Sequence, residues 1–382
     1  MNQAIKRMSR SPMMDFFGKV PKNCINLSVG EPLFDTPKRI TDFEIDSLIQ
    51  GANRYTPVKG FLELREKLAS KLAKDNHIIT QPKDIVVTCG SSEAIGLTIQ
   101  STLNLGDNAI IIDPHFPIVA PQIEFTGGIV KRLSLMEKDH FQPDIDLLNK
   151  MIDKKTKLIY MNTPHNPTGS VFSKNSILEI IDIAIKNDIY LISDEVYEKI
   201  IYSDKHHSPA SLSNYPKIIT VNSFSKSYSM CGHRVGYVVT NSDLIDNIEK
   251  LKFSLSVSTP NSSQKAAICA LDSDKESNEM AKLYKKRRDI IANTIGKLGL
   301  DFVLPKGAFY FFINVKRFGG GQKVYEMLLK NNIVVLPGII FGKAYSDYIR
   351  ISYVLNEAGL EKAMQKFTEI ISQYNSHSEL FR

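Results

Sequence analysis

Lys226 stands between Ser225 and Ser227 in the stretch Ser223 to Gly236, SFSKSYSMCGHRVG, directly after an apolar run, Ile218 to Val221, that reads as a buried strand. Arg234 follows eight residues later. A lysine at the C-terminal end of a strand in an α/β protein points into the crevice where such sheets bind ligands, and partial desolvation there favours the neutral amine. A neutral amine is a nucleophile that can form a Schiff base. Serines and an arginine beside it suit a phosphate. The segment therefore reads as the anchor of a phosphorylated aldehyde cofactor, with pyridoxal phosphate the obvious candidate.

Three further groups follow apolar runs. CGSSEA, Cys89 to Ala94, lies between a strand ending near Thr88 and a helix starting near Ser91. Free amides at a helix N-terminus make an anion site, and the alternative is an ordinary serine cap with Glu93 in the first turn. NTPHNPTG, Asn162 to Gly169, is a turn whose prolines and glycine would hold Asn166 rigidly. In ISDEVYE, Ile192 to Glu198, Asp194 is either a helix cap or a carboxylate aimed at a buried cation.

The elements that must position these residues alternate in period. Lys157 to Met161 is a short apolar run; Ile177, Ile180, Ile181, Ala184 and Ile185 recur with helical spacing; Ile189 to Ile192 is a second run. That is a β-α-β unit. With Ile85 to Val87, Ala109 to Ile112 and Ile218 to Val221, it predicts a mostly parallel, doubly wound α/β sheet of at least five strands. From about Glu276 a charged helical stretch leads to GAFYFFINV and NNIVVLPG, which read as a separate α+β layer. The expected division is an N-terminal segment, 1–40, joining the smaller C-terminal domain, 276–382, with a large cofactor-binding domain, 41–275, between them.

Composition sets the limits. A chain of 382 residues, 43% hydrophobic, can bury a large core. The net charge of +7 is spread through mixed-sign segments, which gives no case for nucleic acid. Cys24, Cys89, Cys231 and Cys269 lie far apart without CxxC spacing, as reduced thiols would. No apolar stretch approaches the length of a membrane span, and the first residues lack the apolar segment of a signal peptide, so a cytoplasmic location is expected. His206 and His207 read as solvated, His233 as a solvent-facing residue without a role, and Gly319 to Gly321 as a flexible turn.

Order and spacing bring the pieces together. SVGEP (Ser28 to Pro32), RYTPVKG (Arg54 to Gly60), TCGSSEA, DPHFP (Asp113 to Pro117), NPTG, SDEVY, SFSK with Arg234, GAFYFF (Gly307 to Phe312), VLPG (Val335 to Gly338) and YIRISY (Tyr348 to Tyr353) occur in this order. Over nearly the whole chain they resemble the class I aminotransferases of the fold-type I pyridoxal phosphate enzymes, nearest the prokaryotic subgroup with bacterial and archaeal aspartate and aromatic aminotransferases.

The resemblance implies roles. Lys226 would hold pyridoxal 5'-phosphate and move a proton at the substrate's α-carbon. Asp194 would keep the pyridine nitrogen protonated, and Tyr197 and Asn166 would bond the 3′-oxygen. The amides of Ser91 and Ser92, the Ser223 hydroxyl and Arg234 would hold the phosphate, and Phe116 would stack on the ring unless it is plain core packing. Arg350 would clamp the substrate carboxylate, with a second contact from the amide of Gly30 and Asn166 beside it. Tyr55 would reach the phosphate in the other subunit of a homodimer with shared sites.

The resemblance leaves the substrate open. Aspartate-specific relatives often carry a lysine where this chain has Ser92, which weakens an acidic-substrate reading unless the partner subunit supplies a substitute from SVSTP, Ser256 to Pro260. Aspartate, aromatic and other neutral amino acids stay open, with 2-oxoglutarate as acceptor by analogy. Two rival functions are a carbon-sulfur β-lyase, which would share every cofactor contact, and a non-catalytic regulatory protein with this fold.

Overall fold

The apolar runs become a seven-stranded sheet in the order Ile85–Thr88, Gly236–Val239, Ile218–Ser223, Tyr190–Asp194, Thr156–Asn162, Asn108–Asp113, Ile129–Ser134. The computed structural model describes residues 2–379 apart from 19, 203, 204 and 242. Gly236–Val239 is antiparallel to both neighbours, and every other pairing in the sheet is parallel. The expected α/β sheet is thus present, with two strands more than the apolar runs indicated. Ile129–Ser134 was hidden because it lies at the edge and buries little beyond Leu133, so its sequence, IVKRLS, carries charges. Gly236–Val239 follows the Arg234 loop with only four residues.

Helices cover both faces. Lys174–Lys186 starts on Ser173, whose side chain accepts from the Ser176 amide, and buries Ile177, Ile180, Ile181, Ile183 and Ala184. Each of those isoleucines contributes about 2 kcal/mol by leaving water. Ile185, assigned to the same face by its spacing, is 46% exposed; Ile183 occupies the buried position instead.

A second sheet, Leu336–Pro337, Tyr348–Ser352, Tyr310–Asn314, is antiparallel throughout. Helix Asp274–Lys297 lies against helix Glu357–Glu379 beside it, sharing a core that includes Tyr284, Ile291, Ile295, Met364 and Phe367. Ile25–Asn26 pairs in parallel with Ile333–Val334, and the Ser352 amide donates to the Leu27 carbonyl at 2.8 Å, which ties the segment carrying Gly30 to this layer. Gly319 to Gly321 is not a loose turn. A Cβ on Gly321 would stand 2.0 Å from the Tyr348 carbonyl oxygen, and Gly319 and Gly320 have φ near +90°, so the glycines are required by close packing and by left-handed backbone.

Candidate functional site

Three adjacent parallel strands end at one place. Asn162 and Asp194 are direct neighbours across the pairing, Asp194 faces Val221 on the next strand, and Ser223 lies two residues further on. Ser223 then caps the short helix Phe224–Ser227, its side chain accepting from the Ser225 amide, and this turn delivers Lys226 into the crevice. Lys226 Nζ donates to the Gly30 carbonyl at 2.6 Å and lies 3.7 Å from Cys231 Sγ.

Asp194 is buried at the crevice floor. Tyr160 donates its hydroxyl to Asp194 Oδ2 at 2.7 Å, and the Val196 amide approaches Oδ1 at 3.4 Å. Burial pushes the carboxyl up to about 6, against the pull of these donors and of Lys226. The chain turns after Asp194 without starting a helix, so the cap reading does not apply. A desolvated carboxylate with only neutral donors bound to it is a site for a cation.

Arg350 closes the other side. It is 1% exposed, with Nη1 donating to Asn166 Oδ1 at 3.0 Å and Nη2 to the Ser28 carbonyl at 2.6 Å. Its Nε is buried without a partner, and its guanidinium lies over the Tyr310 ring at 4.2 Å and the Phe341 ring at 4.9 Å. The Tyr197 and Tyr310 hydroxyls are 2.9 Å apart. Burial raises Tyr197 well above its ordinary value, so it remains a protonated donor.

Arg234 meets the start of helix Gly90–Thr102. Ser91 and Ser92 occupy its first turn, and Arg234 binds the carbonyls of Cys231 at 3.1 Å and Cys89 at 3.5 Å without a carboxylate partner among the described residues. A Cβ on Gly90 would stand 2.6 Å from Arg234 Nη2, and one on Gly236 would stand 2.8 Å from the Ser91 nitrogen. Two glycines thus let the helix end, the strand and the guanidinium converge. The helix cap is Cys89 and not a serine, and its amide donates to Glu93 Oε2 at 2.6 Å.

The remaining predicted residues fall as follows. Phe116 is partly buried against the core beneath the sheet, so packing is part of its role. Gly30 presents its carbonyl to Lys226, and its α-carbon lies close to Tyr310 and Arg350. Tyr55 is 87% exposed and reaches none of these groups in its own chain. Ser256 Oγ donates to Glu93 Oε1 at 2.5 Å, while buried Lys252 pairs with Glu93 at 3.0 Å; both are engaged within their own chain. His233 is not a free solvent-facing residue, because its Nε2 lies 2.9 Å from Glu44 Oε2 and most of its side chain is covered. His206 is likewise buried, 3.0 Å from Glu195.

Glu195, Glu198 and His206 are close enough to hold a metal ion. Their carboxylates are already bound by Lys71 and Asn76 on Glu198 and by Ser208 and His206 on Glu195. Those contacts occupy the carboxylates without a metal ion.

Sequence reasoning missed Tyr160, Tyr310 and Ser28. Tyr160 carried a signal: a tyrosine within the aliphatic run KLIYM must find a partner for its hydroxyl when buried.

Comparisons with known proteins cover nearly the whole chain. The profile of the family described as "Aminotransferase class I and II" matches residues 22–367. A protein of Methanocaldococcus jannaschii named "Probable aspartate aminotransferase" is 37% identical over 96% of this chain and 98% of its own. "Aromatic-amino-acid aminotransferase 2" of Thermococcus litoralis is 34% identical over 91% and 92%. The crystal structure of an aromatic aminotransferase from Pyrococcus horikoshii, 37% identical, superposes with a TM-score of 0.90 over 95% of this chain and 99% of that one.

Proposed function

Because the chain belongs to the class I and II aminotransferases, a family that works with pyridoxal phosphate, we propose that its transamination site is built on Lys226. Its reaction moves the amino group of an aromatic, other neutral or aspartate L-amino acid to a 2-oxo acid, with 2-oxoglutarate as acceptor. That the chain is a transaminase follows from the family. When bound, the cofactor supplies an electron sink for the pair left behind as the α-hydrogen departs.

The residues present fit that group. Lys226 brings an amine to the joined strand ends; its Nζ would carry the covalent link to the cofactor and, once the substrate's amine has replaced it there, would be free to take and return the α-proton. Asp194 offers a buried carboxylate in need of a cation and holds the ring nitrogen protonated. Asn166 Oδ1 is taken by Arg350, which leaves its amide nitrogen to donate to the 3′-oxygen beside the Tyr197 hydroxyl. Ser91 and Ser92 through their amides, Ser223 through its hydroxyl and Arg234 hold the phosphate; Phe116 covers the ring. Arg350, with the Gly30 amide, clamps the substrate carboxylate and so aims the α-hydrogen at Lys226.

The same proposal places the division of the chain at 41–275 against 276–382 with 1–40, supported by the separation of the seven-stranded sheet from the three-stranded and two-stranded ones. It includes a homodimer in which Tyr55 of the partner subunit completes the phosphate site. The exposure of Tyr55 at 87% and of Ile49 at 80% supports a surface that a partner covers. Among the described residues no helix is long and apolar enough to cross a membrane, and a cytoplasmic location belongs to the proposal.

The observation that carries this reading is the convergence of Lys226, Asp194 and Ser223 at the ends of neighbouring strands, opposite buried Arg350. Its test is a panel of amino acids added to the yellow protein. Transamination bleaches the visible band and releases the matching 2-oxo acid; release of pyruvate and sulfide from a thioether amino acid would assign β-elimination instead.

A further inference from the structure

We propose that Tyr310 is a positioning residue that works on both sides of the reaction at once, through Tyr197 and through Arg350. The inference rests on the roles assigned above to those two residues and adds a third residue that sets them. Tyr310 lies in the strand Tyr310–Asn314, fully buried, with its hydroxyl 2.9 Å from that of Tyr197 and its ring face 4.2 Å from the Arg350 guanidinium. A Cβ on Gly30 would stand 3.1 Å from the Tyr310 hydroxyl, so the glycine is what lets this phenol reach across the crevice.

The donor direction follows from counting protons. Each phenol has one O–H. If Tyr197 is to donate to the cofactor's 3′-oxygen, it has no proton left for Tyr310, so Tyr310 donates to Tyr197. A hydroxyl that accepts a hydrogen bond becomes a stronger donor in turn, which makes a two-link chain ending on the 3′-oxygen. That chain favours the oxygen's anionic form. The ring acts separately: with the guanidinium on its face, Nη1 is held on Asn166 and Nη2 on the Ser28 carbonyl.

The two arms separate by substitution. Tyr310→Phe keeps the ring on Arg350 and removes the hydroxyl. The pH midpoint of the cofactor's visible band should rise by about half to one pH unit, the size of one hydrogen bond, with little change in KM for the amino acid. Tyr310→Leu removes both, and should add a rise in KM of roughly tenfold on top of the same spectral shift.

Tyr197→Phe serves as the reference. If it moves the midpoint upward and Tyr310→Phe leaves it unchanged, the relay is overturned while the site assignment stands. If neither variant moves it, the role of Tyr197 and the relay both fail. If Tyr310→Leu raises KM no more than Tyr310→Phe, the ring arm is wrong. Tyr310→Phe is isosteric, and a thermal melt close to that of the parent protein separates these readouts from misfolding.

Discussion

Tyr160 and Asp194, in neighbouring strands, are joined by a 2.7 Å hydrogen bond inside the sheet, with the phenol as donor. Burial holds the Tyr160 proton far above its ordinary value, so the bond persists at any working pH, and the carboxylate is fixed in direction before a cation reaches it. Tyr160→Phe removes a donor to a charged acceptor, a loss of about 1.5 to 3 kcal/mol when the carboxylate is ionised. We expect kcat to fall by at least about tenfold and cofactor to dissociate faster. Unchanged kcat and retention of cofactor on dialysis would show that Asp194 needs no such support.

Asp194 itself links stability to pH. Burial lifts the carboxyl from 3.8 to about 6, so the folded, cofactor-free protein holds the proton more tightly than the unfolded chain. The resulting stabilisation is complete below pH 4 and is lost as pH rises to about 6, at most about 3 kcal/mol. Asp194→Asn has no proton to lose. Denaturant melts of the cofactor-free proteins should therefore show the variant gaining on the parent between pH 4 and pH 7. Parallel pH profiles would contradict the shift.

Much of this site was legible in the sequence because each piece follows a short apolar run, and a parallel sheet collects the C-terminal ends of such runs. Lys226, Asp194 and Asn166 could be placed that way. Tyr310 and Ser28 could not, since their partners Tyr197 and Arg350 are far off in the chain and meet only when the second sheet folds over the first. The edge strand Ile129–Ser134 escaped because an edge tolerates charge. His233 and His206 were read as solvated because nothing in their local sequence indicates the distant or buried carboxylates of Glu44 and Glu195 that bind them.

The proposed shared-site dimer makes a complementation prediction. Subunits inactivated by Lys226→Ala, mixed with subunits impaired at Tyr55, should recover activity in heterodimers, because both lesions then fall in one composite site and leave the other whole. The exposed position of Tyr55 motivates the test. Verified heterodimers without recovery would mean that each site is built from a single chain.

The proposed specificity rests on Ser92 and on what surrounds it. Buried Lys252 is committed to Glu93, and Ser92 carries no charge. A desolvated substrate carboxylate without a partner costs about 2 to 5 kcal/mol. Aromatic and other neutral amino acids are thus expected to react at least as fast as aspartate when stopped-flow bleaching is compared at equal concentration. A hundredfold advantage for aspartate would mean that a further side-chain cation meets the distal carboxylate in the assembled pocket, and would overturn the inference from Ser92.

The most direct measurement is chemical. Reduction of the yellow protein with borohydride, followed by proteolysis and peptide mapping, should place the pyridoxyl label on Lys226 alone, and Lys226→Ala should lose both the label and nearly all turnover. A label on any other lysine, or an unlabelled Lys226 in active protein, would contradict the account at its root.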